Sequence, residues 1–269
     1  MCTASYKGKI IYFREFDGFI ISETSYSPDV TIAPHSHKCP ILSIILEGSL
    51  TELFKNKKIE LSYLNLIYKP ASEVHSNAIH NKGARCLNIQ FSNKWIDYLN
   101  KTGLNTDHVL NSSTYLTATI LARLKNELDN TDKYSETIIE GLIVELFADL
   151  IRLGEENNSK QDMPKWLEEI ADYMENSPDD KLSISVLAGI AGIHPVQFIN
   201  TFRKYYNTTP AEYLRQKKIE QICKELSTTD KSMHDIVFQF HFADQSHFIK
   251  FFKRYIGITP SKYISIYRN

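Results

Sequence analysis

Phe198-Ile199-Asn200-Thr201-Phe202-Arg203-Lys204-Tyr205 recurs fifty residues later as Phe248-Ile249-Lys250-Phe251-Phe252-Lys253-Arg254-Tyr255. Each copy runs into a matching tail, Thr209-Pro210-Ala211-Glu212-Tyr213 and Thr259-Pro260-Ser261-Lys262-Tyr263. Phe198, Phe202 and Tyr205 fall at i, i+4 and i+7, and so do Phe248, Phe252 and Tyr255. On a helix that spacing puts three aromatic rings on one side, where they must face a core. The opposite side is polar and basic in both copies.

The flanks supply the punctuation of two helical pairs. Ser183–Ile190 reads as a short helix, Gly192 as a tight turn needing φ > 0, and Pro195 as the first residue of the next helix. In the second copy Ser232–Phe240 is the supporting helix and Asp244 the N-cap of its successor. Between the copies Thr209, Pro210 and Glu212 read as N-cap, N1 and N3 of a capping box. The stripe Arg215, Ile219, Ile222, Cys223 and Leu226 would anchor that connecting helix to both pairs. Residues 211–226 as a helix span roughly 24 Å, a rigid spacer between two presented helices.

Charge follows the same division. Residues 181–269 hold 13 Lys and Arg against 6 Asp and Glu, a net +7, while residues 1–180 carry net −8. A basic final third beside an acidic remainder implies a polyanionic partner for one domain only. On the first presented helix Val196, Gln197 and Asn200 face outward as candidate base-reading residues, with Arg203 and Lys204 on phosphates. On the second, Gln245, Ser246, Ile249 and Lys250 are placed to read bases, and Lys253 and Arg254 to hold phosphates. Short polar groups near a helix N-terminus and cations near its C-terminus suit a major groove, since Gln reads adenine bidentately and Lys reaches guanine O6 and N7.

With those residues in view, 182–263 resembles the DNA-binding domain of the AraC/XylS family of bacterial transcription regulators. The stretch Ala243-Asp244-Gln245-Ser246-His247-Phe248, then Phe251-Phe252-Lys253-Arg254 and Gly257-Ile258-Thr259-Pro260-Ser261-Lys262-Tyr263, carries the resemblance. It implies two helix-turn-helix units joined by a helix, and base-facing positions at Val196, Ile199, Asn200, Gln245, Ser246, Ile249 and Lys250. Two departures stand out. His241 occupies the place where that family has Gly in the second turn, and φ > 0 there costs a non-Gly residue about 1 kcal/mol. Val237 replaces the usual Ala on the second supporting helix.

Residues 8–91 read as β-structure. Ile41–Leu46 is a β-favouring run ended by Glu47-Gly48, and Leu87-Asn88-Ile89-Gln90-Phe91 alternates with period two. Asn56 and Gly83 are expected at turns between strands. Pro34-His35-Ser36-His37 and Pro70-Ala71-Ser72-Glu73-Val74-His75 resemble the two motifs of a cupin barrel. In metal-binding cupins two His, a Glu and a later His hold a divalent ion. Here His35, His37 and His75 are present, but the Glu position falls near Ile41–Leu42 and carries no carboxylate. Three imidazoles leave a divalent metal open as a cofactor, with Cys39 as a further ligand. The alternative is a barrel whose mouth takes a small effector. A cupin enzyme fused to a DNA reader is the remaining reading, and the missing carboxylate counts against it, as does the absence of a Ser/His/Asp relay, P-loop or Rossmann glycine pattern.

Residues 93–101, 114–129 and 135–154 read as helices, the last with a wide stripe of Ile138, Ile139, Leu142, Leu146, Leu150 and Ile151 that fits either a second protomer or its own barrel. Glu155–Asp162 is polar and aperiodic, a linker, after which Pro164 opens a helix through Met174. The fold class expected is therefore α+β: a cupin-like β-barrel over 1–92, a helical dimerisation segment over 93–154, a linker over 155–163, and an all-α double helix-turn-helix domain over 164–269. Four cysteines without CxxC spacing imply neither a disulfide framework nor a zinc knuckle. The N-terminus lacks a signal-peptide core and no apolar run approaches a membrane span. The expectation is a cytoplasmic, non-enzymatic, one-component regulator. Its expected partners are double-stranded DNA, an unknown small-molecule effector, a second copy as homodimer and RNA polymerase, with no membrane.

Overall fold

A computed structural model describes residues 7–55, 57–104, 108–112, 115–159, 163–176 and 182–267. The chain divides into two compact units, the first of residues to Ile151 together with those from Ile264 on, the second Arg152–Tyr263. No single helix among the described residues is long and apolar enough to cross a membrane.

The first unit is built on β1 (Lys9–Glu15), β2 (Phe19–Tyr26), β3 (Thr31–His35), β4 (Ile41–Phe54), β5 (Lys57–Ser62), β6 (Leu66–Lys69), β7 (His75–Phe91) and β8 (Leu110–Ser112). All pairings are antiparallel, in the order β1-β2-β7-β4-β6-β8, with β3 also on β7 and β5 also on β4. Two long strands thus each serve twice. The first half of β4 pairs with β6 and the second half with β5, while β7 pairs with β3 early and β2 late. Bends in both strands allow this: β4 advances from Gly48 to Leu50 while β7 advances from Ile79 to Ala84. Gly48 (φ +68) and Gly83 (φ +73) sit at the crossing, and a Cβ on Gly48 would meet the Gly83 carbonyl oxygen at 1.9 Å. Bulges of this kind let a strand pass from one sheet to the facing one.

Two sequence expectations are corrected here. Glu47-Gly48 does not end a strand but bends one that runs on to Phe54, and Gly83 is a bend inside β7 rather than a turn between strands. Both glycines mark close backbone approach rather than chain reversal. Asn56 lies outside the described residues. β8 adds to β6 from the stretch between the expected helices 93–101 and 114–129, for which no strand was expected.

Ile45, Leu50, Ile59, Leu61, Ile67, Ile79 and Cys86 fill the space between the bent halves. Three helices follow: α1 (Asn93–Lys101), α2 (Tyr115–Asp129) and α3 (Ser135–Ser159). Ser92 caps α1 by accepting from Trp95 N. In α3 Ile139, Leu142, Leu146 and Leu150 are buried, and Phe147 packs edge-on against Tyr68 and Phe91 at 5.1 and 5.2 Å. The stripe that left two partners open therefore packs onto its own sheet. Ile138 alone of its large residues stays exposed at 40%. α3 also runs to Ser159, so Glu155–Ser159 is helix where a linker was expected, and 160–162 lie outside the described residues.

The second unit holds α4 (Lys165–Asn176), α5 (Ile184–Ile190), α6 (Pro195–Tyr206), α7 (Pro210–Thr228), α8 (Met233–Gln239), α9 (Gln245–Ile256) and, to Tyr263, the first part of α10 (Pro260–Tyr267). Leu167, Ile170 and Met174 of α4 join Leu187, Ala188, Phe198 and Phe202 in one core. Ile219, Ile222, Cys223 and Leu226 of α7 are fully buried. Arg215 is not part of that stripe: its side chain is half exposed and paired with Glu212 at 2.8 Å.

Candidate functional site

The two halves of the helical unit repeat in geometry as they do in sequence. Phe198 and Phe202 lie 5.9 Å apart at 53°, Phe248 and Phe252 6.0 Å apart at 53°. The two Thr-Pro tails perform one task. Tyr213 meets Phe202 edge-on at 5.4 Å and 73°, and Tyr263 meets Phe252 at 5.3 Å and 75°. All four phenylalanines are 0% exposed. Tyr205 and Tyr255, expected on the inward stripe, are only half-buried. Edge-to-face contacts stabilise such pairs by about 0.5–1.5 kcal/mol beyond their area, so each helix is held at a fixed rotation about its axis.

That rotation decides what is presented. Val196, Gln197 and Asn200 on α6, and Gln245, Ser246 and Lys250 on α9, are exposed, and Ile199 and Ile249 are half-buried at corresponding places. Arg203, Lys204, Lys253 and Arg254 lie exposed in the last turns, where cations favour the helix dipole. Asp244 caps α9 by accepting from His247 N at 2.7 Å, whereas His194 caps α6 by accepting from Val196 N at 3.3 Å.

Both turns before these helices are Schellman motifs. Ile193 N donates to Ala188 O and Gly192 N to Gly189 O, and likewise Phe242 N to Val237 O and His241 N to Phe238 O. Gly192 has φ +68 and His241 φ +52, so the non-Gly residue does stand in the left-handed conformation. Val237 is half-buried.

Between the repeats lies a cleft of about 810 Å³ lined from α4, α7, the second turn and α9. Arg215, Lys218, His241, His247 and Arg254 reach it. Sequence reasoning missed these α7 cations, having turned Arg215 inward. Lys218 lies over the Phe242 ring at 4.6 Å. Lys217 is structural: burial works against its charge, but Glu220 and Glu175 more than offset it and raise its pKa. Thr209 accepts from Glu212 N at 3.1 Å, half of the expected capping box. The Glu212 carboxylate accepts from Tyr255 at 2.9 Å and from Arg215, tying α9 to α7. Burial and that hydrogen bond push the Tyr255 hydroxyl up to about 12.

The β unit brings His35, His37 and His75 together, each offering a ring nitrogen within 4.8 Å of the others. His35 ends β3 and pairs with His75 at the start of β7, and their rings lie 4.4 Å apart. His37 is fixed through its carbonyl, which accepts from Ser72 N at 2.8 Å. The Nδ1 atoms of His35 and His75 contact the Ala33 and Glu73 carbonyls, which sets those rings and directs Nε2 elsewhere. Burial, the nearby Lys69 charge and the other imidazoles hold His37 at about 3. Burial and Lys69 likewise hold His75 at about 3, against the hydrogen bond to Glu73. Both are thus neutral at physiological pH, the form that binds metal. Cys39 is disulfide-bonded and supplies no thiolate; Cys86 and Cys223 are free and buried, and Cys2 lies outside the described residues. The cysteine spacing, which implies no disulfide framework, gives no sign of this one bond, and the expectation of Cys39 as a further metal ligand is corrected.

A duplicated helix-turn-helix core presenting two basic helices defines a class, the DNA-binding regulators, and the chain's relatives agree. The helix-turn-helix domain family matches residues 187–265. The HTH-type transcriptional activator AarP of Providencia stuartii is 34% identical over 97 residues, covering 36% of this chain and 72% of AarP. The bifunctional transcriptional activator/DNA repair enzyme AdaA of Bacillus subtilis (strain 168) is 30% identical over 106 residues, 39% of this chain and half of AdaA's length. Among solved structures, ToxT from Vibrio cholerae O395 aligns over 94% of this chain and 99% of its own, at 14% identity and a TM-score of 0.40. The chain belongs to the AraC/XylS family of transcription regulators.

Proposed function

We propose that this regulator reads one long, asymmetric DNA element with α6 and α9 in successive major-groove turns, and that its β unit supplies the effector input. The observation that carries the first half is the matched ring geometry of the two repeats, which presents the same helix face twice. Val196, Gln197, Ile199, Asn200, Gln245, Ser246, Ile249 and Lys250 read base edges, and Arg203, Lys204, Lys253 and Arg254 hold phosphates. Successive turns on one face of the duplex lie roughly 34 Å apart, and α7 is the strut between the helices. Binding-site selection with the full chain tests this: the enriched site should contain two unlike half-elements about one helical turn apart, and a simple palindrome would overturn it. A homodimer, contact with RNA polymerase and action in the cytoplasm belong to this reading.

For the effector, a divalent transition-metal ion is favoured over a metabolite by the size of the interior. The cavity that His35, His37 and His75 share with Lys69, Glu52, Asn77 and Asn88 measures about 30 Å³, roughly the room of one water. Three imidazoles around one ion at about 2.0–2.1 Å bring their nitrogens roughly 3.3 Å apart, so closing the trio takes shifts of about an ångström. When bound, such an ion would supply fixed cross-links between β3, the segment after it and β7. Metal analysis and equilibrium dialysis of the full chain test this, and a chain that retains no metal but binds a small organic effector would favour the other reading.

A further inference from the structure

The interior beside the imidazole trio contains the carboxylate that the spacing of the first His motif does not provide. Glu52 lies on the second half of β4, directly opposite Asn77 of β7. His75 is two residues from Asn77 and so on the same face of the sheet, diagonal to Glu52, at a spacing long side chains can bridge. Glu52, Lys69 and the three histidines line one cavity. The Glu52 and Lys69 side chains are 3% and 5% exposed, and Lys69 Nζ holds Glu52 Oε1 at 2.6 Å. The second oxygen, Glu52 Oε2, is buried and has no hydrogen-bond partner among the described residues. A buried carboxylate oxygen left unpaired is costly, and native interiors retain such groups where a further partner belongs.

Charge balance says which partner. Three neutral imidazoles around a divalent ion leave two positive charges in a site of low dielectric, and an ammonium nearby opposes them. A carboxylate offsets them, and among the described residues Glu52 is the one acidic group lining the cavity. We propose that Glu52 is the anionic partner of the metal ion held by His35, His37 and His75, and that Lys69 is its counterion in the metal-free protein. This rests on the reading of the trio as a metal site. It makes the pair an exclusive switch: the ion and the Lys69 ammonium compete for one carboxylate. Metal entry then frees Lys69 and alters how β4 and β6, whose residues these are, hold each other.

The test is Co(II) binding to the metal-stripped full chain, read by visible ligand-field absorption, with Zn(II) affinity from competition with a chromophoric chelator. The wild type should bind one equivalent. E52Q should weaken binding by about 10- to 100-fold and change the Co(II) spectrum, while K69M should tighten it. Opposite signs discriminate, because a pair with only a structural role would give weaker binding in both variants through the same broken ion pair. The uncharged double variant E52Q/K69M restores neutrality and keeps the comparison if E52Q alone does not fold: it should bind at least about 10-fold more weakly than K69M. Wild type that binds Co(II) with E52Q and K69M unchanged, or both weakened, overturns the role of Glu52 and leaves the trio standing. Wild type and K69M that bind neither Co(II) nor Zn(II) overturn the metal reading itself.

Discussion

The two helix-turn-helix repeats share a core and differ in their joints. Their ring distances agree within about 0.1 Å, and both present exposed polar residues early and paired cations late. The connections do not agree. The first repeat turns on Gly192 and is capped by His194; the second turns on His241, carries one more residue before its cap, and is capped by Asp244. The ends differ too, Asn207 closing α6 at φ +51 and Gly257 closing α9 at φ +82. Among the described residues, the first repeat has an extra helix, α4, sharing its core. Packing specifies the presented face to within one ring rotation, whereas a turn needs only the right backbone sign, which several residues can adopt at different cost.

The largest effects should come from the shared part. Phe202→Ala and Phe252→Ala each remove a fully buried ring from equivalent places and should cost about 3–5 kcal/mol, read in denaturant unfolding of the full chain. Equal losses would support equivalence; a loss confined to one repeat would break the comparison. Next come the presented faces. Asn200→Ala and Lys250→Ala should each cost about 1–3 kcal/mol of DNA affinity and relax preference at one base pair. The two relaxed positions should lie in different halves of the selected site. Unchanged preference in either variant removes that residue from readout. Smaller still is the phosphate contribution: neutralising Arg203 or Lys253 singly should lower the salt slope of log K by about 1, equally in the two repeats. A slope indifferent to both would contradict their assignment.

Much of the helical unit was legible because its signals are local. Aromatic spacing, Pro at N1 in α6 and α7, and Thr209 and Asp244 as caps fall where the sequence puts them, while Ser183 and Ser232, read as the first residues of their helices, are the caps. Arg215 was misplaced because it continues the i, i+4 stripe of Ile219, while its charge is satisfied at the surface by Glu212. The histidine trio was legible as two short motifs, but Glu52 was not. It is brought to the trio by the bend at Gly48 and by the register opposite Asn77, and both are properties of pairing between distant strands. The same holds for α3: its stripe announced burial without saying against what, and Phe147 on Tyr68 and Phe91 supplied the answer. Period identifies a face; only tertiary pairing identifies its partner.

The joints give the smallest change. His241 carries the φ +52 that Gly192 adopts without a Cβ penalty, and a non-Gly residue there is strained by about 1 kcal/mol. His241→Gly relieves that strain but also loosens the unfolded chain, which offsets part of the gain. The net should be a stabilisation of at most about 1 kcal/mol, with Gly192→Ala destabilising by a similar amount. His241 is exposed and lines the cleft between the repeats beside His247 and Arg254, so the two variants also separate strain from use. If His241→Gly raises stability and leaves DNA affinity unchanged, the turn is merely tolerated. If stability rises while affinity falls, His241 contributes to the DNA face, and the second joint differs from the first because it is used.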